Sequence, residues 1–597
     1  MTDTSEQTSA EVEEISAWLL AKVPASRNLT KNELARYSVH EPLCGWLVPF
    51  ELGNVLFDLQ LVIPRDFPWE KPRVYCQEQF QFKQFPHIER DGAFCLYPTS
   101  AEHDPFNVVG LVWDTVKEAA KMIAASRDPA FLDDFAEEFA SYWDKTDGGK
   151  TVISLLTPGG PSRTVSLWRS KGDYYLADND QALRNWLNNH ICGRKSDFGF
   201  AVATHLVLER PILPTEYPKS GAMVVGLVKK LAPGAQQLLF AAAANAEDKF
   251  TVSFEGPTKN GPVFFAVEVM PPAQQGNPVG SQVNLLQKGF RPGKVPPGIR
   301  LQRQLGGNKV ELHEVSRADP SWVHGRDTPG NDELFKKRVL LVGAGSLGSE
   351  VAQLLSKSGV GSVTLVDPEV LEYANVGRHV LGVEEVRTYK AKSLSEKLRK
   401  NYPHMQLVKH FSERWQSLYT KQPEVFRDVD LIVSTVGNWQ VEGRLNQLAK
   451  SDADFPHVLY GWAEPFSLAG HAVLVGPNGP CFGCGMDRFG KPIQTVCEWD
   501  ADTTRKLPDC GASFQPYGPI SLAGVAMLVA KTATKALLGG VQWGTEAVCW
   551  ASQADIVEQG GRFSTGFLER FKTTPEFGGS SVFNFSQKPD CPFCGGK

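Results

Sequence analysis

The chain has 597 residues, of which 42% are hydrophobic and 22% are charged, and its formal net charge is -5. This length exceeds what one hydrophobic core supports, so two to four domains are expected. The composition is that of an ordinary globular protein, and the small acidic charge argues against a broad nucleic-acid footprint or an anionic-membrane surface.

The N-terminal sequence and the cysteine content indicate the compartment. MTDTSEQTSAEVEE is acidic and polar, unlike a secretory or mitochondrial leader. Eleven cysteines without an export signal favour a reducing compartment, where thiols serve metals or chemistry. We therefore expect a cytoplasmic protein.

The first 148 residues have the pattern of a small α+β domain. Val12, Ile15, Leu19 and Val23 repeat at helical spacing and predict an opening helix. Alternating apolar residues follow in GWLVPFELGNVLFDLQLVIP, where Gly53-Asn54 predicts the turn of an antiparallel hairpin. A proline-studded turn comes next, and a further helix is expected from about residue 109 to residue 123.

The order of these motifs resembles the ubiquitin-conjugating enzyme fold. The segment 68–72, PWEKP, looks like the family's proline turn, and Phe85-Pro86-His87 looks like its His-Pro-Asn segment. Gly92 to Leu96 carries the cysteine. The resemblance implies that Cys95 is the transfer cysteine and that His87 stands where the family has an asparagine.

His87 leaves two interpretations of this domain open. An imidazole could donate a hydrogen bond to an oxyanion or accept a proton, so His87 is a candidate catalytic residue. In the alternative, the domain is a non-catalytic member of the same fold and Cys95 is a small core residue. A domain that only binds its partner has no need of a cysteine at this point, which favours catalysis.

The middle stretch, 149–325, carries no motif that predicts chemistry. Strand-like runs, among them YYLAD, FAVATHLVL, AMVVGLV and VFFAVEVM, alternate with Pro/Gly-rich turns and predict a mixed α+β linker domain.

The stretch 337–367, KRVLLVGAGSLGSEVAQLLSKSGVGSVTLVD, predicts a nucleotide site. Two apolar runs flank a helical pattern, and Gly343, Gly345 and Gly348 fall between the first run and the helix. Glycines let the backbone turn sharply and bring bare N–H groups to a phosphate, while Asp367 can accept hydrogen bonds from ribose hydroxyls. The motif alone does not separate ATP from a dinucleotide.

The residues beyond Asp367 resemble ubiquitin-activating enzymes and the bacterial ThiF-type enzymes that activate sulfur carriers. Asn375, Arg378 and Lys390-Ala391 match that family, while His379 stands where glutamine is usual. The resemblance implies that Asp367 holds the ribose, that Arg378 and Lys390 engage the phosphates, and that Asn375 lies nearby. Fixed cations stabilise the charge that develops when ATP is cleaved at its α-phosphate, so ATP is expected rather than NAD.

Magnesium coordination departs from the family pattern. Val436-Gly437-Asn438 occupies the turn where the family usually places an aspartate that helps position Mg²⁺. We expect the triphosphate to carry Mg²⁺, with a weaker contribution from protein ligands than usual.

Two CxxC knuckles predict a structural zinc site. They are Cys481-Phe482-Gly483-Cys484 and Cys591-Pro592-Phe593-Cys594. Four thiolates around Zn²⁺ leave no open position for chemistry, so the metal would fasten the end of the chain to its domain.

The candidate for the first thioester is Cys510. Relatives place their thioester cysteine in a loop before a helix of small and apolar residues, as in the segment 503–539 here. Arg505 and Lys506 could favour the thiolate of Cys510. Cys497 on the same loop is the second choice for the thioester. Cys549 is expected to be a core residue, and a thioester at Cys549 stays open as a further alternative. The apolar segment 519–541 contains two lysines and is predicted to be a buried helix rather than a membrane span.

The whole chain resembles bacterial fusions of ubiquitin-activating and ubiquitin-conjugating modules from anti-phage operons that include a cyclic-nucleotide synthase (CBASS). We predict a multidomain α/β and α+β protein with a conjugating-like domain at 1–148, a linker domain at 149–325 and a Rossmann-like adenylation domain at 326–597. The resemblance implies an ATP-dependent transferase that passes a partner's C-terminus from Cys510 to Cys95 and then to an amine. It further implies a homodimer and suggests the synthase's tail as donor.

Two other functions stay open on sequence grounds. One is an adenylating scaffold with a non-catalytic conjugating-like domain. The other is a dinucleotide-dependent oxidoreductase, against which Arg378 and Lys390 count.

Overall fold

A computed structural model describes ten segments of the chain. They are residues 3–98, 102–191, 198–246, 248–271, 288–291, 294–325, 331–476, 478–506, 513–570 and 576–595. The chain divides into two compact units, one made of 1–153, 158–176 and 200–316, the other of 154–157, 177–199 and 317–597.

The first domain is a curved sheet with helices against it. Its helices and strands are α1 Asp3–Lys22, β1 Arg27–Asn28, α2 Lys31–Leu34, β2 Pro42–Leu52, β3 Val55–Pro64, β4 Arg73–Tyr75, α3 Val108–Ala125, α4 Asp134–Glu137 and α5 Phe139–Tyr142. In the described residues the sheet order is β1-β2-β3-β4. Gly53, at φ 63°, forms the predicted hairpin turn between β2 and β3. Ile15 and Leu19 of α1 are buried with Val112 of α3 in the core of this domain.

The central stretch forms a barrel with helices. Its elements are β5 Thr151–Ser154, β6 Arg163–Arg169, β7 Tyr174–Ala177, α6 Asp180–His190, β8 Ala201–Val207, α7 Gly221–Leu231, α8 Gln236–Asn245, β9 Phe250–Gly256, β10 Val263–Val269, α9 Pro297–Leu305, β11 Val310–Arg317 and α10 Pro320–Val323. Among the described strands the barrel closes in the order β10-β11-β5-β7-β6-β8-β9. The predicted mixture of helices and strands is confirmed.

The prediction of a strand in AMVVGLV is wrong, because this run lies in α7. The side chain of Ser220 accepts a hydrogen bond from the Met223 amide and caps the helix. The buried side chains Val224, Leu227, Val228 and Leu231 recur at helical spacing. A seven-residue apolar window was too short to separate this period from that of a strand.

The C-terminal stretch contains a doubly wound sheet. Its elements are β12 Arg338–Val342, α11 Ser346–Lys357, β13 Ser362–Val366, α12 Tyr373–Val376, α13 Lys390–Asn401, β14 Leu407–Phe411, α14 Trp415–Lys421, α15 Glu424–Arg427, β15 Leu431–Ser434, α16 Trp439–Ser451, β16 Val458–Ala463, β17 Ala469–Val475, β18 Cys497–Trp499, β19 Arg505–Lys506, β20 Ser513–Phe514, α17 Pro519–Leu537, β21 Thr545–Trp550, α18 Gln553–Glu558, β22 Gly561–Phe563, α19 Thr565–Glu569 and β23 Gly579–Asn584.

In the described residues the large sheet has the order β14-β13-β12-β15-β16-β17-β21-β23. The strands from β14 to β16 are parallel, and β17, β21 and β23 join in antiparallel pairs. The carboxyl ends of β12, β13 and β15 therefore meet at one edge, which is where ligands bind in open sheets of this kind.

The helix α17 is the one described helix long and apolar enough to cross a membrane. Half of its apolar window is buried, and it packs against α11 and β17. Val525, Ala526 and Val529 lie in the core beside the sheet. This agrees with the prediction of a buried core helix.

The two compact units group residues by packing rather than by sequence module. Residues 1–153 and most of the barrel fall in one unit, while the segment 177–199 groups with residues 317–597. Within that second unit, α6 packs against α13. The division at residues 148 and 325 remains a prediction about sequence modules.

Candidate functional site

The glycine turn after β12 is tightly packed against the next strand end. Gly343 has a φ of 93°, in the region that favours glycine. A Cβ atom on Gly348 would lie 1.9 Å from the Gly343 carbonyl oxygen and 2.6 Å from Thr435 Oγ1. Thr435 Oγ1 donates a hydrogen bond of 2.9 Å to that same carbonyl. The turn thus requires glycine at both positions, as the motif predicted.

A cavity of about 360 Å³ opens at this turn. The start of α11 faces it, so the free N–H groups and the positive end of the helix dipole are available to an anion. Its wall is formed in part by Gly345, Ser346, Thr435, Glu442, Glu464 and Tyr517. The cavity can therefore hold a phosphate-bearing ligand at the helix start.

Asp367 follows β13 and holds the glycine turn. One carboxylate oxygen accepts a hydrogen bond of 2.7 Å from the Ala344 amide, and the other accepts one of 2.7 Å from the Glu369 amide. Asp367 is buried, and desolvation raises its pKa despite these two donors. The carboxylate is thus fixed beside the turn, while ribose binding by Asp367 stays a prediction.

His379 stands where the resemblance predicts a glutamine, and it contacts the same turn. Its Nδ1 accepts a hydrogen bond of 3.0 Å from the Leu381 amide, so its Nε2 carries the proton and donates to the Ala344 carbonyl at 2.7 Å. Burial lowers the pKa of His379, which agrees with a neutral ring. An imidazole in this tautomer offers one donor and one acceptor, as a glutamine amide does.

The two predicted phosphate ligands, Lys390 and Arg378, are each held by a contact with another side chain. Lys390 is buried, and its ammonium donates to Glu369 at 2.6 Å, so it is not a charge on an exposed helix face. The Arg378 guanidinium lies 4.7 Å from the Tyr517 ring centroid, and the Tyr517 hydroxyl donates to Ser346 at 3.1 Å. Arg378 is thereby held beside a residue of the cavity wall.

Asn375 has a local structural contact. Its side-chain oxygen accepts a hydrogen bond of 3.0 Å from the Glu372 amide at the start of α12. A direct role for Asn375 with the nucleotide remains a prediction.

Two buried acids of the cavity were not predicted from the sequence. Burial raises the pKa of Glu442 to about 7. Glu464 accepts hydrogen bonds from the amides of Val496 and Cys497 at 2.6 and 2.8 Å, and it contacts His471 at 2.7 Å. Both acids are buried in the cavity wall, and the sequence pattern did not predict that burial.

The pair Glu464 and His471 belongs to a longer charged network. His471 Nδ1 contacts Glu546 at 3.0 Å, and Arg570 donates to Glu546 at 2.9 Å. The two carboxylates raise the pKa of buried His471 to about 9, so the ring is protonated at neutral pH. The network balances its buried charges internally.

The candidate thioester cysteines differ in what the structure describes. Cys510 lies outside the described residues. Cys497, expected on a mobile loop, is instead buried in β18, where burial and Glu464 raise its pKa. Burial also raises the pKa of Cys549 to about 11. Neither Cys497 nor Cys549 is poised as a thiolate in this conformation.

The two CxxC knuckles come together as predicted. The sulfur atoms of Cys481, Cys484, Cys591 and Cys594 lie within 4.8 Å of one another, and all four residues are buried. Asn446 Nδ2 donates to the Cys481 sulfur at 3.5 Å. A compact set of four thiolates with an outer hydrogen bond fits a structural tetrahedral Zn²⁺ site.

In the first domain, Cys95 is exposed in a groove. Its amide donates to the His87 carbonyl at 2.8 Å. The groove has a volume of about 360 Å³ and is lined in part by Trp69, Lys71 and Glu89. Partial burial, Glu89 and Glu138 raise the pKa of Cys95, so the free enzyme holds a thiol here. The exposure argues against a core role for Cys95.

His87 is engaged on both ring nitrogens. Nδ1 lies 2.9 Å from Glu138 and Nε2 lies 3.1 Å from Asp134. The hydrogen bond to Glu138 and that to Asp134 raise the pKa of His87 to about 9, so the ring is protonated at neutral pH. Because both N–H groups are used, this conformation supports a positioning role rather than the expected direct donation to an oxyanion.

Comparison with known proteins gives matches to both ends of the chain. The ThiF family profile matches residues 323–552, and that of prokaryotic E2 family B matches residues 19–152. The ATP-dependent ubiquitin transferase-like protein Cap2 of Escherichia coli (strain TW11681) is 22% identical over 90% of this chain and 91% of its own length. Cap2 of Vibrio cholerae serotype O1 is 24% identical over 82% of this chain and 86% of its own length.

A further relative matches the C-terminal part. The SAMP-activating enzyme E1 of Haloferax volcanii is 26% identical over 45% of this chain and 83% of its own length. The two family profiles match this chain in the order of modules that the sequence motifs predicted, with the E2 profile first and the ThiF profile second.

Proposed function

We propose, from the premise that this chain is a Cap2-like ATP-dependent ubiquitin transferase-like enzyme with prokaryotic E2 and ThiF domains, that it activates a partner's C-terminus and relays it through two cysteines. The observation that carries the proposal is the glycine turn, where the start of α11 faces a cavity and Asp367 holds the turn through its hydrogen bond from the Ala344 amide. A dinucleotide-dependent oxidoreductase is not retained, because the enzyme class is ATP-dependent.

The first step is adenylation. The partner's carboxylate oxygen attacks the α-phosphorus of ATP, the bond to pyrophosphate breaks, and an acyl-adenylate forms. Gly343, Gly345 and Gly348 admit the phosphates to the helix start, and Asp367 orients the ribose. Arg378 and Lys390 stabilise the charge that develops on the phosphates. Mg²⁺ bound with the triphosphate would neutralise part of that charge.

The second step forms a thioester. The thiolate of Cys510 attacks the acyl carbon. The bond between that carbon and the phosphate oxygen breaks, and AMP leaves. The proposal for Cys510 rests on its place before α17 and on the raised pKa values of Cys497 and Cys549. Zinc at the four cysteines is structural and takes no part in these steps.

The third step transfers the acyl group to Cys95 and then to an amine. As the Cys95 sulfur attacks the thioester carbonyl, the C–S bond to Cys510 breaks, and the proton of the Cys95 thiol passes to the leaving Cys510 sulfur. An acceptor amine then attacks the Cys95 thioester, so that a C–N bond forms and the C–S bond breaks. The backbone carbonyl of His87 accepts a hydrogen bond from the Cys95 amide, and through this contact His87 positions Cys95. Joining both modules in one chain raises their effective concentration.

The proposed setting follows the resemblance. We place the enzyme in the cytoplasm as a homodimer, in anti-phage defence beside a cyclic-nucleotide synthase whose C-terminal tail is the activated group. The final acceptor is an amine of a target protein. A scaffold with a non-catalytic conjugating-like domain is the second candidate, because both nitrogens of His87 are engaged.

Pyrophosphate release tests the activation step. The enzyme with ATP and the full-length synthase is expected to release pyrophosphate, and deleting the synthase tail removes the nucleophilic carboxylate and abolishes release. A synthase with a scrambled surface loop and an intact tail serves as control. Release that is unchanged by tail deletion, or absent with the full-length synthase, contradicts this partner assignment.

A further inference from the structure

The turn Val436-Gly437-Asn438 after β15 carries no side-chain carboxylate, and the oxygen of its polar side chain already accepts a hydrogen bond. Val436 and Gly437 carry no ligand atoms in their side chains. The Asn438 side-chain oxygen accepts a hydrogen bond of 3.3 Å from the Val441 amide and caps α16. A metal ion at this turn would therefore need an oxygen ligand from another residue.

Glu442, in the first turn of α16, reaches back to this turn. Its Oε1 accepts a hydrogen bond of 2.7 Å from the Ser434 hydroxyl and a longer one of 3.4 Å from the Gly437 amide. The residue is 4% exposed and forms part of the wall of the glycine-turn cavity, together with Gly345 and Thr435. Its carboxylate is thus fixed by two donors beside the predicted phosphate site.

Glu442 has no cationic partner among the residues that the structure describes, and no positive charge contributes to its electrostatic surroundings there. Glu464, in the wall of the same cavity, contrasts with it, because protonated His471 compensates its charge. Burial of a carboxylate without a counter-charge is costly, and a bound cation offsets that cost. Of these two acids, only Glu442 has a negative charge that a bound ligand would need to compensate.

We infer that Glu442 is the protein carboxylate ligand of the Mg²⁺ ion that accompanies ATP. Mg²⁺ prefers oxygen ligands and is commonly held by one or two carboxylates, substrate phosphates and waters. The Ser434 hydroxyl orients the carboxylate as an outer hydrogen-bond donor. This inference rests on the proposed ATP-dependent function.

The test compares binding of α,β-methylene-ATP with and without Mg²⁺. Calorimetric titrations use the full chain, its Glu442→Gln variant and, as a matched control, the exposed Glu424→Gln variant. Wild type and Glu424→Gln are expected to bind the Mg²⁺ complex more tightly than the metal-free analogue. Glu442→Gln is expected to lose about tenfold of that Mg²⁺-dependent gain while it still binds the metal-free analogue.

The outcomes separate this inference from the proposed function. A Mg²⁺-dependent gain in Glu442→Gln equal to that of wild type overturns the role of Glu442 and leaves ATP binding intact. If wild type binds the analogue in neither form, the proposed function itself fails.

A second measurement needs no variant and decides the matter if Glu442→Gln does not fold. Fe²⁺ replaces Mg²⁺ in the wild-type complex with the analogue, and peroxide then cleaves the backbone next to the metal. Cleavage within residues 434–442 supports the inference. Cleavage only elsewhere in the chain overturns it.

Discussion

Replacement of Gly348 by alanine is expected to reduce ATP-dependent pyrophosphate release by about 100-fold or more, because displacements near 1 Å have effects of this size. The new Cβ would lie 1.9 Å from the Gly343 carbonyl oxygen and 2.6 Å from Thr435 Oγ1. The first of these is a backbone atom that cannot rotate away. The turn must therefore open, and the N–H groups at the start of α11 lose their alignment with the phosphates.

Gly524→Ala is the matched control for this experiment. Gly524 lies in α17 of the same domain, and a Cβ there meets nothing within 4 Å. This control is expected to keep the wild-type rate. Pyrophosphate release and a thermal melt are measured on both variants, and a folded Gly348→Ala variant with the wild-type rate would show that the turn does not hold the nucleotide.

Loss of zinc from the four-cysteine cluster is expected to lower the Tm of the adenylation domain by about 10 °C or more. Structural zinc contributes many kcal/mol to folding, and about 1 kcal/mol corresponds to 2–4 °C in a domain of this size. The knuckles connect residues 481–484 with residues 591–594, so loss of the metal frees the end of the chain. Phe593 of the second knuckle also contacts Trp439 of the cavity wall.

The zinc prediction is measured with Cys591→Ser and with a chelator. Metal analysis is expected to find one zinc per wild-type chain and much less in Cys591→Ser. Cys549→Ser removes a thiol from the same domain and is expected to keep its zinc. A zinc-free wild type with the same melting curve would argue against a structural metal.

The sequence predicted local features well where residue type and spacing determine the geometry. The glycines at 343 and 348 are required by backbone conformation or close approach, and the paired CxxC knuckles converge as expected. The hairpin turn at Gly53 and the buried helix α17 are likewise confirmed. Each of these features is recognisable from a short motif, although the two knuckles lie 110 residues apart in the chain.

Features that depend on long-range packing were not predictable in this way. Closure of the central barrel requires parallel pairing of β8 with β9 across the intervening helices α7 and α8. The proposed role of Glu442 depends on its burial in the wall of a cavity that it shares with Gly345, almost a hundred residues earlier in the chain. The engagement of His87 by Asp134 and Glu138 depends on helices much later in the chain, since Asp134 lies 47 residues after His87.

The most direct test of the account is the order of thioester formation on the two cysteines. Wild type, Cys510→Ala, Cys497→Ala and Cys95→Ala are incubated with ATP and the synthase, and adducts are separated on non-reducing gels and mapped by mass spectrometry. The account predicts adducts at both cysteines in wild type and in Cys497→Ala, only the Cys510 adduct in Cys95→Ala, and neither in Cys510→Ala. A Cys95 adduct that persists in Cys510→Ala, or a wild type that charges Cys510 without ever charging Cys95, would contradict the relay.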